Sequence, residues 1–418
     1  MTLKNKHVTV LGAGIGGLTV AIALARRGAV VTVLEQAPAL REVGAGLQIT
    51  PNGSAVLTAL DLAPQLRAIG VALQAVELCD YRHGQHVMRL DMAAGKHGNA
   101  NPYLLVHRAD LVDMLAEAAQ QAGVSLIFGQ EVTAVVPELD QALLVLADGT
   151  TREAGLLIGA DGLRSLTRQA LNVAHPPDFT GQVAWRATVE TSRLVDTDLS
   201  HVARVYMGPG RHLVTYPLRG GRLINIVAVQ ARKDWVAEGW NHLDDPKNLQ
   251  TAFSDFAPAV TTLLKSCEKT HLWGLFAHPV ADVWSSGVTA ILGDACHPTL
   301  PFLAQGANMA LEDAWVLAAE LDRHVEIAVA LAAYRGRRVD RVRRIVSGAS
   351  ANTRIYHLGS APVRSVVHQG MRVVNRFAGA AFARRYDWLY GTDVTKVALR
   401  PGALPPDPRS IYQTMIMV

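Results

Sequence analysis

Residues 8–35 read VTVLGAGIGGLTVAIALARRGAVVTVLE and constrain this chain more than any other stretch. Val8, Val10 and Leu11 form a short, β-branched apolar run that stops at Gly12, the pattern of a buried strand. A helix follows, because Ile15, Leu18, Ile22 and Ala25 recur at helical spacing and Gly28 closes the segment after Arg26 and Arg27. Val30 to Leu34 is then a second strand. The glycines have separate tasks: Gly12 makes the tight turn, Gly14 lets the backbone approach a pyrophosphate, and Gly17 lets the helix pack closely on the strand. Glu35 ends the second strand 18 residues after Gly17, where a carboxylate holds ribose hydroxyls and disfavours a 2′-phosphate. The expected ligand is an adenine dinucleotide, FAD or NAD, its pyrophosphate on bare helix N–H groups.

Half of the 418 residues are hydrophobic, so the chain can bury real cores, in two domains or one elaborate one. Glycine and threonine interrupt the apolar run Val8–Ala25 and no small-residue cleavage site suits a secretory signal, so neither a leader nor a membrane span is expected. Cys79, Cys267 and Cys296 are too few and too scattered for a disulfide framework, which fits a reducing, cytoplasmic setting. The formal charge is +4, with much of the excess in RGRRVDRVRR at Arg335–Arg344. That run is expected to be a solvated helix face and not a nucleic-acid surface, since no base-reading motif or aromatic platform accompanies it. No metal is expected: His83 and His86 lack a nearby third ligand, and there is no HExxH.

Beyond Glu35, residues 36–53 carry Pro38, Pro51 and several glycines and read as a loop beside the cofactor, with Arg41 in it. Ser54 to Leu66 reads as one helix. Tyr103–Gly123 pairs an apolar run with an amphipathic helix, capped by Asp110 or a neighbour and preceded by Arg108. From Pro176 to about Trp284 the texture becomes β-rich alternation, a second module. Val288–Leu292 then returns to the buried-strand pattern, followed by a long amphipathic helix at Gly306–Leu321, as if the chain left the nucleotide domain and came back. The region from Ala328 to about Arg385 reads as helical and arginine-rich, and the tail as proline-rich and extended.

Two further strand ends carry chemistry. Asp161-Gly162 follows the strand Leu156–Gly159, where a tight turn brings carboxylate and backbone near the cofactor. Asp294 follows Val288–Leu292 and can accept hydrogen bonds from a ribityl or ribose hydroxyl. The helix opened by Gly306, Ala307 and Asn308 points its N-terminus at the site, and its free N–H groups suit the negative charge of a reduced flavin. FAD is therefore preferred to the NAD of a dehydrogenase. GAGIGG with Glu35, then LLIGADGLRSLTR at 156–168, then AILGDACHPTLPFLAQGANMALEDA at 290–314 form an ordered set. With it the sequence resembles the single-component, FAD-dependent aromatic hydroxylases, within them the salicylate and 3-hydroxybenzoate hydroxylase-like group, from Val8 to Thr395.

The resemblance implies an α/β architecture: a Rossmann-like FAD-binding domain (1–75, 101–175 and 286–330), interleaved with a β-sheet substrate domain (76–100 and 176–285) and followed by a helical C-terminal extension (331–418). It also implies that Arg41 and Arg108 hold FAD. NAD(P)H would reduce the flavin and leave, there being no second GxGxxG, and O2 would then form a flavin C4a-hydroperoxide that hydroxylates a small aromatic substrate. No nucleic acid or membrane partner is implied, and monomer and homodimer are both open.

The substrate machinery is expected in GPGRHLVTYPLRGG at Gly208–Gly221. If Leu213–Pro217 is a strand, His212, Val214 and Tyr216 share one face by period two. Electrophilic hydroxylation needs an electron-rich ring, so a base that takes the phenol proton helps by about 10²–10⁴. His212 has the right ordinary pKa and resembles the catalytic histidine of close relatives; Tyr216 could hold a carboxylate or hydroxyl. Some relatives place glutamine or histidine where this chain has Pro301-Phe302, an apolar wall that with Leu300 and Leu303 would exclude water. Cys296 and His297 read as packing residues. A hydroxypyridine or olefin monooxygenase of the same fold, and a flavin-binding regulatory protein without turnover, are the alternatives.

Overall fold

In the computed structural model, which describes residues 2–40, 45–92, 101–173, 175–194, 200–233 and 242–396, the strand His7–Leu11 lies between two parallel neighbours, Val30–Leu34 and Leu157–Gly159. They belong to a six-stranded sheet that adds Ser125–Ile127 at one side and Thr289–Ile291 and Ser285–Ser286 at the other. Apolar runs suit these strands because both faces are covered. The helices Ile15–Ala25, Arg108–Gln121 and Gly306–Arg323 contribute to the core on one side. On the other, a three-stranded antiparallel sheet packs Val132, Val135 and Leu144 against Leu11, Leu34 and Leu157. Close approach is built into the first helix: a Cβ at Gly16 would sit 2.7 Å from Leu292 Cδ1, and one at Gly17 only 1.9 Å from the carbonyl oxygen of Gly12.

The β-rich texture becomes an eight-stranded sheet, ordered His242–Asp244, Thr270–Ala277, Asp178–Glu190, Leu223–Ala231, Arg211–Leu218, Val202–Gly208, Ala75–Asp80 and His86–Asp91. Its pairs are antiparallel except Ala75–Asp80 with Val202–Gly208. Alternation sorts its faces. Trp185, Leu213, Ile226 and Ala228 pack against Leu249, Phe253, Val260 and Leu264 of a small helical layer, whereas Arg186, His212, Val214, Tyr216 and Val227 line a cavity on the opposite face.

Local signals misled in three places. Residues 46–49, read as loop from the flanking proline and glycines, form the strand Gly46–Ile49, which pairs antiparallel with the buried Leu104–His107. Ser54–Leu66 is two helices, Pro51–Ala59 and Ala63–Ile69, broken where Asp61 takes a positive φ of 51°. The arginine run is not a solvated face. It lies in the helix Ile327–Tyr356, where Arg338 is 1% exposed and bonds Glu312 (2.5 Å) and Asp313 (2.7 Å) of the helix Gly306–Arg323. Arg341 also bonds Glu312 and the carbonyls of Trp388 and Leu389, and Arg344 stacks 3.8 Å from the Trp388 ring centroid. The pattern of basic residues identified a charged helix but not the acids waiting on its neighbour. The proline-rich tail lies outside the described residues.

Candidate active site

A cavity of about 440 Å³ separates the glycine loop from the eight-stranded sheet. On the glycine-loop side, Gly12 turns with φ +104°, its missing Cβ making room for the Ala160 carbonyl oxygen, 2.5 Å from where that atom would be. Gly14 lines the cavity, and a Cβ built there would have nothing within 4 Å, so an exposed backbone cradle opens at the start of the helix Ile15–Ala25. Glu35 spans the loop: its Oε2 accepts the Ala13 N–H at 2.8 Å and its Oε1 the Ala37 N–H at 2.9 Å. Gly12, Gly17 and Glu35 shape this loop without lining the cavity themselves.

Asp294 follows Gly293, which holds a positive φ of 61°. Its carboxylate opens into the cavity and makes no hydrogen bond among the described residues. Surrounding protein pushes its pKa up, against the pull of His297, Arg108 and His278. Gly306 and Ala307, at the start of the helix Gly306–Arg323, line the same end, with Asp294 Oδ1 4.0 Å from where a Gly306 Cβ would be. Arg108 lines the cavity as the first residue of its helix. The cap position there is His107, not Asp110; Asp110 lies in the first turn and pairs with Arg219 at 2.6 Å.

Like Glu35, two further side chains expected on the cofactor are bonded to the chain itself. Asp161 accepts hydrogen bonds from Ser165 Oγ (2.5 Å) and from the Thr167 N–H and Oγ1 (3.0 Å each), which secures the start of the helix Leu166–Leu171. Its neighbours Ala160, Gly162 and Leu163 line the cavity instead. Asn308 accepts the Thr50 N–H at 2.9 Å and donates to the carbonyls of Gln48 and Ala304, tying the strand Gly46–Ile49 to the long helix. A strand-end acid and a helix-opening amide look alike in sequence whether they face a ligand or the chain. Arg41 lies outside the described residues.

His212, Val214 and Tyr216 share the cavity face, as period two requires. His212 is 2% exposed; its Nδ1 lies 2.7 Å from His357 Nε2. Burial, then the neighbouring His357, holds its pKa well below the ordinary 6.5, so the ring is neutral at pH 7. Tyr216 is held by Gln48 and Asn225, and burial keeps its phenol protonated. Leu300, Phe302 and Leu303 close over the cavity, Phe302 standing edge-on to His212 with ring centroids 5.6 Å apart.

Arg186 was missed by the sequence reading. It enters the cavity from the strand Asp178–Glu190 with its guanidinium 4.5 Å from the Trp273 ring centroid and no carboxylate partner among the described residues. Burial lowers its pKa to about 10, with Tyr216 opposing and Arg108 adding to the effect. The signal was an arginine between buried Trp185 and Ala187, at a position where alternation points inward.

A family model described as FAD binding domain matches residues 5–349. The chain belongs to the FAD binding domain family. It is 35% identical over 96% of its length to a 3-amino-4-hydroxybenzoate 2-monooxygenase of Streptomyces platensis, covering 99% of that relative. It is 34% identical over 93% of its length to a 3-hydroxybenzoate 6-hydroxylase of Polaromonas naphthalenivorans, covering 96% of it. Among solved structures, HpxO of Klebsiella pneumoniae, complexed with FAD and uric acid, shares 26% identity at a TM-score of 0.77, over 90% of this chain and 97% of that one. A salicylate hydroxylase substrate complex shares the fold at a TM-score of 0.79, over 96% and 100% of the two chains at 24% identity. This chain is a flavoprotein monooxygenase with FAD as its cofactor. Its residues fit that group: an open backbone cradle at Gly14 and, at Asp294, a carboxylate that makes no hydrogen bond among the described residues face one cavity.

Proposed function

We propose that this monooxygenase hydroxylates a small phenolic acid of the hydroxybenzoate class, with NAD(P)H as reductant and O2 as co-substrate. The observation that carries this reading is Arg186, a desolvated cation facing the cavity beside an imidazole and a phenol. Burying such a charge is costly, and a substrate carboxylate relieves the cost. The relatives named for hydroxybenzoates support the same class.

Gly12, Gly17 and Glu35 would shape, and Gly14 would line, the pyrophosphate and ribose end of FAD; Asp294 would accept from a sugar hydroxyl; Gly306 and Ala307 would offer helix N–H groups to the flavin, and Arg41 and Arg108 would hold FAD. Bound FAD supplies electron uptake from NAD(P)H and activation of O2. The remaining work belongs to the chain. Arg186 holds the carboxylate, Tyr216 orients the ring by hydrogen bonding, and neutral His212 takes the phenol proton, enriching the ring for electrophilic attack. Leu300, Phe302 and Leu303 exclude water, which would divert oxygen into hydrogen peroxide. Among the described residues no helix is long and apolar enough to cross a membrane, and we place the protein in the cytoplasm.

The test is a screen of hydroxybenzoates for stimulated NADH and NADPH consumption by the FAD-loaded enzyme, with products identified by mass. Stimulation with a mass gain of one oxygen is expected; a panel in which no phenolic acid stimulates consumption overturns the reading. His212→Ala should retain FAD but fall by about 10²–10⁴ in product formation, with more peroxide per NADH. The ratio of product to NADH checks it, and an unchanged ratio and rate would make His212 structural.

A further inference from the structure

His212 takes a proton in a place that cannot keep one. Phe302 and Tyr356 stand against its ring, with centroids 5.6 and 5.1 Å away. Among the described residues His357 is its hydrogen-bond partner, Nδ1 to Nε2 at 2.7 Å, with the ring centroids 4.9 Å apart. His357 follows the helix Ile327–Tyr356. Its carbonyl accepts the Gly210 N–H at 3.3 Å, tying it to the turn that precedes the strand Arg211–Leu218. The two rings differ in surroundings: His212 lines the cavity, whereas His357 does not line it and is partly exposed. The pair therefore runs from the cavity wall toward the outside.

We propose that His357 is a proton-relay residue, passing the substrate's phenolic proton from His212 to solvent. The proposal rests on the reading of His212 as the group that takes that proton. In the resting tautomers His212 carries its hydrogen on Nδ1 and donates to His357 Nε2, and His357 carries its own on Nδ1. The phenol O–H bond breaks as an Nε2–H bond forms on His212. The His212 Nδ1–H bond breaks as an Nε2–H bond forms on His357, and the His357 Nδ1–H goes to water. A phenolate remains in the cavity, one proton has entered the solvent, and both rings end neutral. Reprotonation of the product by the reverse path resets the tautomers. Export is needed because burial holds both imidazoles below their ordinary pKa, His357 at about 4, so neither stores the proton. Through the relay the phenol equilibrates with bulk water, so solvent pH and the phenol's own affinity for a proton set the phenolate fraction.

The experiment requires no turnover. The oxidised, FAD-loaded enzyme is saturated with 3-hydroxy-4-nitrobenzoate, whose phenolate absorbs in the visible, and subjected to a rapid pH jump. The rate at which the bound phenolate colour responds reports proton exchange between cavity and solvent. His357→Gln retains a carbonyl oxygen that can accept from His212 Nδ1–H but cannot pass a proton on. It is expected to slow the response by about 10²-fold while leaving probe affinity and FAD retention near the parental values. His212→Gln should slow it to a similar extent. A His357→Gln enzyme that exchanges at the parental rate overturns the relay and leaves His212 standing. One that loses FAD or probe makes His357 structural and overturns it too. A His212→Gln enzyme exchanging at the parental rate overturns the reading of His212 and the relay with it. Failure of the parental enzyme to bind the probe does the same.

Discussion

Arg338 is fully buried and Arg186 is half-buried in the cavity wall, and they are treated in opposite ways. Arg338 lies between two helices with Glu312 and Asp313 at bonding distance. Burial alone would lower its pKa, but those carboxylates raise it above the ordinary arginine value. Arg186 has an indole face and a phenol for company, with Arg108 near enough to repel it, and its pKa falls to about 10. A buried charge that serves the fold is neutralised within the fold. Arg186, which we propose serves a ligand, meets no carboxylate among the described residues, and that supports the cavity as a binding site more sharply than its shape does.

The comparison breaks most easily at Arg338. Arg338→Met leaves Glu312 and Asp313 buried with too little positive charge and should destabilise the protein by about 3–5 kcal/mol, measured by denaturant unfolding of the FAD-loaded enzyme. A loss under about 1 kcal/mol would mean that Arg341 and His297 suffice. Acid should attack the same cluster. Burial would raise both carboxyls, but Arg341 and Arg338 outweigh it for Glu312, and His297 and Arg338 for Asp313, taking them from 4.5 and 3.8 to about 2 each. Their folded pKa values lie below the unfolded ones, so this stabilisation is full above about pH 4.5 and is lost as pH falls toward 2. Each contributes on the order of 2–4 kcal/mol over that window. Unfolding midpoints measured from pH 5 to pH 2 should drop steeply in the parent and less in a Glu312→Gln variant.

Arg186 should respond with the smaller energy and the opposite sign for stability. Arg186→Gln removes a desolvated cation, so the fold should be no less stable, while affinity for a phenolic acid weakens by about 1.5–3 kcal/mol. Binding of the corresponding phenol without a carboxylate should hardly change. Titrations followed by flavin absorbance, with the acid and the uncharged phenol side by side, separate these outcomes. Equal losses for both ligands would place Arg186 outside the carboxylate site.

How far the site was legible follows the same division. His212, Val214 and Tyr216 were placed on one face because alternation depends on nothing beyond the strand itself. The glycine loop was readable for a related reason: Gly12 is required by a positive φ and by the closeness of Ala160, and no other residue fits there without strain. Asp161 and Asn308 misled because a polar side chain at an element's end serves ligand and backbone equally well. Arg186 sat inside a strand whose pattern was recognised, but its lack of a carboxylate partner among the described residues depends on what the neighbouring strands bring to that face.

By itself the sequence determined the strand–turn–helix unit at residues 8–35, the β-rich second module and the long helices, each written in periodicities of a few residues. Only the tertiary structure decided which charges meet. Arg338 finds Asp313 25 positions away on another helix, and His212 finds His357 145 positions away. Asp161, by contrast, is used up within six residues of itself. The reason is physical: propensity and periodicity are set by covalent neighbours, whereas the stability of a charge depends on burial and on partners that the folded chain alone brings together.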